Sequence, residues 1–458
     1  MTSSLFHHLR APSLIVVVFV LILGLIGLFV TLSELKNLHI VLTLLPVLFL
    51  LLNNFRYSFF YLILLLFVNL HIYTHHISVY FAFAFILSYL MCFYDRKFKD
   101  LVNPLSVPIS IYLFLSLPSF INNQEIPNSL FFMSSMLISF VILHFISASD
   151  DKKLIPLFII SFLVFCFING LSAAYEGLIN QKRAFGFAGV MFVDYISIGV
   201  VITFVTLVLS NKKVFYSLLL ALFFLFSIIH QTRGVWLVLA MTLLIILSFF
   251  FFHNQMFEIK KGKLVVFIGA TVLLLTTGFV LVTGINPDVE QRATQFNESK
   301  SYITQEGDID NSLVTRALIW HTALNAFKEH PILGIGSHSF SFQSHRYSTI
   351  SPYLYKKYVK ALTPHGTYFA VLPEIGIIGL IGFLLLAFFT LKYSYSNIKA
   401  SENMEDKRIS TILYFILVYI NISMIITDAW LFGSGAVLWC IILGLNMLQK
   451  KSLLKEVN

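Results

Sequence analysis

Three arginines and one histidine in this sequence have the chemistry of a diphosphate site beside a general base: Arg183, Arg233, Arg316 and His365. A guanidinium keeps its charge and donates in a planar fork, which suits bidentate recognition of phosphate. His365 follows Pro364 and precedes an apolar run, so it is expected at a helix start, where the neutral imidazole needed by a general base is favoured. Each residue also has a plainer reading. Arg183 or Arg316 could pair with Glu176, Asp308 or Asp310, Arg233 could be a helix-end arginine snorkelling to headgroups, and His365 could be an interfacial polar residue.

Other chemistries lack their residues. No Walker A sequence, dinucleotide-binding glycine fingerprint or Gly-x-Ser-x-Gly elbow is present, so the energy must come from an activated substrate or a gradient. The 14 histidines, among them His75, His76, His338 and His345, show no metal-ligand spacing with a carboxylate, so no metal and no cofactor is assigned. Cys92, Cys166 and Cys440 are far apart and lie in or beside apolar runs, as buried small residues do.

The elements that hold these residues are membrane helices. The chain is 58% hydrophobic, only 12% charged and carries 48 Phe, more apolar surface than a soluble domain can bury. Apolar runs recur at 13–32, 38–53, 57–72, 77–94, 105–121, 129–148, 154–173, 189–210, 214–231, 234–252, 264–284, 367–391, 409–427 and 430–448. Runs of this length match a hydrocarbon core of ~30 Å. The expected fold is therefore an all-α polytopic membrane protein of about 12–14 transmembrane helices. The first run is read as a retained span rather than a signal peptide.

The net charge of +9 reports orientation rather than nucleic-acid binding. Basic clusters at Arg96–Lys99, Lys152–Lys153, Lys212–Lys213, Lys260–Lys263, Lys392–Arg408 and Lys450–Lys455 alternate with connectors nearly free of them. The basic set is expected on the cytoplasmic side, together with both termini. That reading puts Arg183, Arg233 and the polar segment Ile285–Gly366 on the far side. The segment's eight basic and seven acidic residues do not oppose this, because long loops cross regardless of charge.

The expected division is 1–173 N-terminal helices, 174–284 central helices with arginine-bearing connectors, 285–366 a large outer loop domain, and 367–458 C-terminal helices. Within the loop domain, Leu313, Ala317, Trp320, Leu324 and Phe327 follow the helical period, predicting a helix over Ser312–Glu329 that His330-Pro331 ends. Gly334 and Gly336 permit a tight turn, and Tyr353–Val359 suits a second amphipathic helix. Together these predict a helical cap over the outer mouth of the bundle.

Thr232-Arg233-Gly234 with Trp236, then Arg316, Trp320 and Pro331-x-x-Gly334-x-Gly336, then His365 followed by Leu372, Glu374, Gly376 and Gly379-Leu380, resembles the O-antigen ligase and polymerase superfamily. The resemblance covers about residues 180–445. It implies a GT-C-class glycosyltransferase with a periplasmic cap in the inner membrane of a Gram-negative bacterium, among membrane lipids and without a metal. The implied donor is an undecaprenyl-diphosphate-linked glycan and the implied acceptor a lipid A-core sugar hydroxyl, in lipopolysaccharide biosynthesis.

On that reading His365 is the base, Arg316 and Arg233 hold and stabilise the leaving diphosphate, and the transfer inverts the anomeric configuration. Arg183, Trp320, Gly334, Gly336, His338, Lys356 and Lys357 complete the substrate-binding set. The family's ligases usually have Asn, Ser or Gln after the histidine and often Thr where this chain has Gly379; here Gly366 follows His365. A polymerase joining undecaprenyl-diphosphate-linked repeat units is therefore the alternative. A lipid-linked oligosaccharide flippase ranks below both, since no internal repeat is visible.

Overall fold

Backbone groups in hydrocarbon must be satisfied within their own segment, which leaves helices as the solution for apolar runs of this length. A computed structural model describes residues 103–180, 191–229, 232–259, 312–427 and 433–457, with isolated positions at 63, 262, 269 and 430. The expected spans 13–32, 38–53 and 77–94, the spans 57–72 and 264–284 apart from one position each, residue Arg183 and all of 285–311 lie outside the described residues. Among the described residues every regular element is helical, and four helices are long and apolar enough to cross a membrane.

The first helices of the bundle are α1 (Ser106–Ser116), α2 (Ile126–Ala148), α3 (Leu154–Asn180), α4 (Phe192–Leu209), α5 (Lys213–Ile229) and α6 (Arg233–Phe252). The cap contributes α7 (Ser312–Glu329), the single turn α8 (Phe340–Gln343) and α9 (Pro352–Tyr358), and the chain closes with α10 (Thr367–Ala400), α11 (Met404–Ser423) and α12 (Gly433–Val457). The predicted helix over Ser312–Glu329 is α7 itself, and α9 starts one residue before the expected Tyr353. The expected span 105–121 tightens after Ser116 into a 3-10 turn, Leu117–Asn122, where proline in its first turn removes a backbone donor.

Helix α10 runs well past the expected 391. Polar residues beyond that point find buried partners on α12: Ser394 Oγ donates to Asn446 Oδ1 at 2.6 Å, and Asn397 Nδ2 to the Asn446 carbonyl at 2.9 Å. α4 is buried on all sides and packs against α5 and α11, while α12 packs on α2 and α10 on α1.

Basic connectors collect at one end of the bundle. Lys451 Nζ reaches the Ala148 carbonyl at the end of α2 and Asp150 at 2.9 Å. Gln449 Nε2 meets Asp406 at 3.1 Å, and Lys407 Nζ meets the Met256 carbonyl at 3.2 Å. Lys213 caps the last carbonyls of α4, Leu207 and Val208. Cations at helix C-termini complement exposed carbonyls and the macrodipole, so these lysines are stabilised where they stand. The start of α6 and the start of α10 lie at the opposite end.

The cap has its own apolar core of Ile319, Ala323, Ala326, Ile335, Phe340, Tyr347, Tyr358 and Val359. It meets the membrane helices at a break in α10, where Pro373 and a non-helical Gly376 (φ 65°, ψ −171°) interrupt the helical ladder. Groups freed by such a break need new partners, and the turn after α7 supplies them. Ile335 N–H donates to the Pro373 carbonyl and Gly336 N–H to the Glu374 carbonyl, both at 2.9 Å, while Ile377 N–H donates to the Pro331 carbonyl at 3.0 Å.

Candidate functional site

The site is built around the turn after α11. Thr367 N–H donates to the Met424 carbonyl at 2.7 Å and to the Thr427 carbonyl at 3.0 Å, and Thr367 Oγ1 donates to the Thr427 carbonyl at 2.8 Å. A β-carbon on Gly366 would stand 2.6 Å from the Ile425 carbonyl oxygen, and one on Gly234 would stand 3.0 Å from Ile426 Cδ1. The same turn therefore packs against the start of α6 and against the residue after His365. A side chain at Gly366 would meet main chain that cannot yield.

Arg316, half-buried on the first turns of α7, enters this cluster. Its Nη1 lies 3.6 Å from the place a Gly234 β-carbon would take, next to Arg233 in sequence. Arg233 opens α6; its side chain lies outside the described residues. The indole N–H of Trp320, one helical turn beyond Arg316, donates to the Pro364 carbonyl at 2.7 Å. Its ring stacks on Phe369 with centroids 4.5 Å apart and planes 14° apart. His365 sits between these fixed points with φ 49°, a left-handed conformation sparsely used by residues with a β-carbon.

The remaining candidates divide. Gly334 (φ 73°) and Gly336 (φ 114°) serve close packing: β-carbons there would lie 2.3 Å from the Glu374 carbonyl oxygen and 2.4 Å from Asn123 Cγ. Asn122 Nδ2 and Gln343 Nε2 bracket the same turn, donating to the carbonyls of Gly334 and Ile335 at 3.0 and 3.1 Å. His338 also has a positive φ of 53°, and burial pushes its imidazole down to about 4. Lys356 and Lys357 are exposed on α9, with Lys357 Nζ 3.3 Å from Tyr353 Oη. From His330 to Pro373 the sequence holds four basic residues, Arg346, Lys356, Lys357 and Lys360, and no acidic one.

The structure adds residues to the surroundings of these candidates that the sequence analysis gave no role: Glu374, named there only within a motif, the Met424–Thr427 turn and Asn122–Asn123. Glu374 carried a signal: it is the lone carboxylate in an apolar run, directly after a proline, and such residues are rarely idle. The turn carried none, because its contribution is main-chain carbonyls. Among the described residues no group of three or more His, Cys, Asp or Glu is placed to hold a metal.

Part of the chain matches known proteins. Residues 198–384 match the family model described as O-antigen ligase. A putative polysaccharide ligase of Rickettsia conorii is 31% identical over 183 residues, 39% of this chain and 40% of that protein. A second putative polysaccharide ligase, from Rickettsia felis, is 30% identical over 179 residues, 39% of this chain and 41% of that protein. The match thus spans about two fifths of the curated relatives' length. It is over residues 198–384, the stretch holding Arg233, Arg316, Trp320, the Gly334–Gly336 turn and His365, that this membrane protein matches the O-antigen ligase family.

Proposed function

We propose that the protein is a membrane glycosyltransferase of the ligase type, which moves a glycan from undecaprenyl diphosphate to a sugar hydroxyl of lipid A-core on the periplasmic side of the inner membrane. The observation that carries the reading is the seating of Arg316 against Gly234 while Trp320, one turn along the same helix, holds the carbonyl beside His365. These contacts join the helix bearing Arg316 to the start of α6 and to the main chain just before His365, at the end of the bundle away from the basic connectors. The positive-inside rule makes that end periplasmic.

In the proposed reaction the acceptor hydroxyl oxygen attacks the anomeric carbon of the donor. The bond from that carbon to the diphosphate oxygen breaks, and the lipid diphosphate leaves with the bonding pair. His365 takes the hydroxyl proton, a contribution of about 10²–10⁴-fold for a positioned base. Arg316 and Arg233, with Arg183, stabilise the charge developing on the leaving diphosphate. Attack opposite the leaving group inverts the anomeric configuration. Lys356 and Lys357, exposed on α9 within a stretch of sequence that holds no acidic residue, suit phosphates on the acceptor.

The test is electrophoresis of lipopolysaccharide from a strain lacking the gene, complemented with wild type or His365→Ala. Bare lipid A-core with polymer accumulating on undecaprenyl diphosphate supports the ligase. Core carrying a single repeat unit supports the polymerase, the alternative drawn from Gly366 and Gly379. An unchanged profile removes both.

A further inference from the structure

The carboxylate of Glu374 is buried at 6% exposure on the last turn before the break in α10. It reaches main chain of the cap: Oε2 accepts the His338 N–H at 2.9 Å and Oε1 the Phe340 N–H at 3.3 Å. The carbonyls of Pro373 and Glu374 accept the N–H groups of Ile335 and Gly336. The short helical piece from Thr367 to Ile375 therefore grips the turn after α7 at its lower end. At its upper end Pro364 and Phe369 grip Trp320 of the same α7. Arg316 lies on α7 and His365 two residues before α10, and these two segments are bonded to each other at both ends.

We propose that Glu374 is a positioning residue for transfer: its two oxygens fix the register of α7 along the first piece of α10, and with it the placement of Arg316 relative to His365. A carboxylate is required because two N–H groups need acceptors at once. A glutamine offers one oxygen and turns an amide donor toward the other N–H. The main-chain bonds from Ile335, Gly336 and Ile377 remain when the side chain is removed, so the cap is expected to fold and slip rather than detach. A misplacement of about 1 Å is enough to lower turnover by about 10²-fold. The inference rests on the transferase reading for what turnover means, while the clamp stands on geometry alone.

The test uses the full chain in lipid nanodiscs, as wild type, Glu374→Ala and Glu374→Gln, with an undecaprenyl-diphosphate-linked glycan as donor. Expected are a kcat lower by about 10²-fold for the alanine, an intermediate loss for the glutamine, and a donor KM changed by no more than about twofold. Amide exchange should accelerate at 335–340 and extend to 316–320, more in the alanine than in the glutamine.

Unchanged kcat in both variants overturns the proposal, whether or not exchange rises, because Glu374 would then be a brace only. A raised KM with kcat intact overturns it in favour of direct donor contact. If the wild type transfers nothing, the transferase reading has failed, and exchange alone decides the clamp: spread to 316–320 keeps it and confinement to 335–340 ends it. If the alanine variant does not fold, the glutamine variant decides on the same criteria.

Discussion

The indole N–H of Trp320 and the carbonyl of Pro364 are 2.7 Å apart, so the cap helix bearing Arg316 is bonded to the residue preceding His365. Trp320→Phe preserves the stack on Phe369 and removes this bond. A net contribution of about 0.5–1.5 kcal/mol is lost, and the larger expected effect is on turnover, through movement of the 364–366 segment. A transfer assay beside a thermal unfolding scan checks this: activity is expected to fall by several-fold or more while the unfolding temperature moves little.

Arg316→Lys is expected to behave as a loss rather than a conservative change. Lysine keeps the charge but not the fork that grips two oxygens of a diphosphate. Donor binding and turnover should both drop, with Arg316→Ala losing about 10²–10³-fold in kcat if it stabilises leaving-group charge. Steady-state kinetics with varied donor separates the two contributions.

Gly334→Ala should destabilise the docking of the cap. The new carbon would stand 2.3 Å from the Glu374 carbonyl oxygen, and the position has φ 73°. Neither contact is relieved by a side-chain rotation, so a loss at the upper part of the usual 0.5–3 kcal/mol range is expected. Faster amide exchange at 331–340, together with a lower unfolding temperature, would register it.

Acid sensitivity should trace in part to His338. Its imidazole is pushed down to about 4 from an ordinary value near 6.5, so between these values the unfolded chain binds a proton that the folded chain refuses. Its contribution to stability is complete above about 6.5 and shrinks as pH falls toward 4. His338→Gln is therefore expected to lose less of its unfolding temperature than wild type between pH 7 and pH 5.

Much of this architecture was legible in the sequence because membrane helices and amphipathic cap helices are written in hydropathy and period. Ser312–Glu329 emerged from the spacing of five apolar residues, and the gathering of the described basic connectors at one end of the bundle from the alternation of lysine clusters. The junction was not legible. The break at Pro373–Gly376 is repaired by backbone groups of residues some forty positions away, and no side-chain pattern announces which loop will fill a gap. Gly334 and Gly336 read as a tight turn and substrate contact; in the structure the absence of a side chain admits the Glu374 backbone at Gly334 and the Asn123 side chain at Gly336. Trp320 read as substrate contact, and its indole is bonded and stacked within the protein.

The most direct measurement is the rate at which purified protein in lipid nanodiscs transfers glycan from undecaprenyl diphosphate to lipid A-core, with His365→Ala beside wild type. The account expects the variant to fold and to bind donor as wild type does, with transfer lower by about 10²–10⁴-fold. Transfer by His365→Ala at nearly the wild-type rate would contradict it, and with it the assignment of His365 as the base.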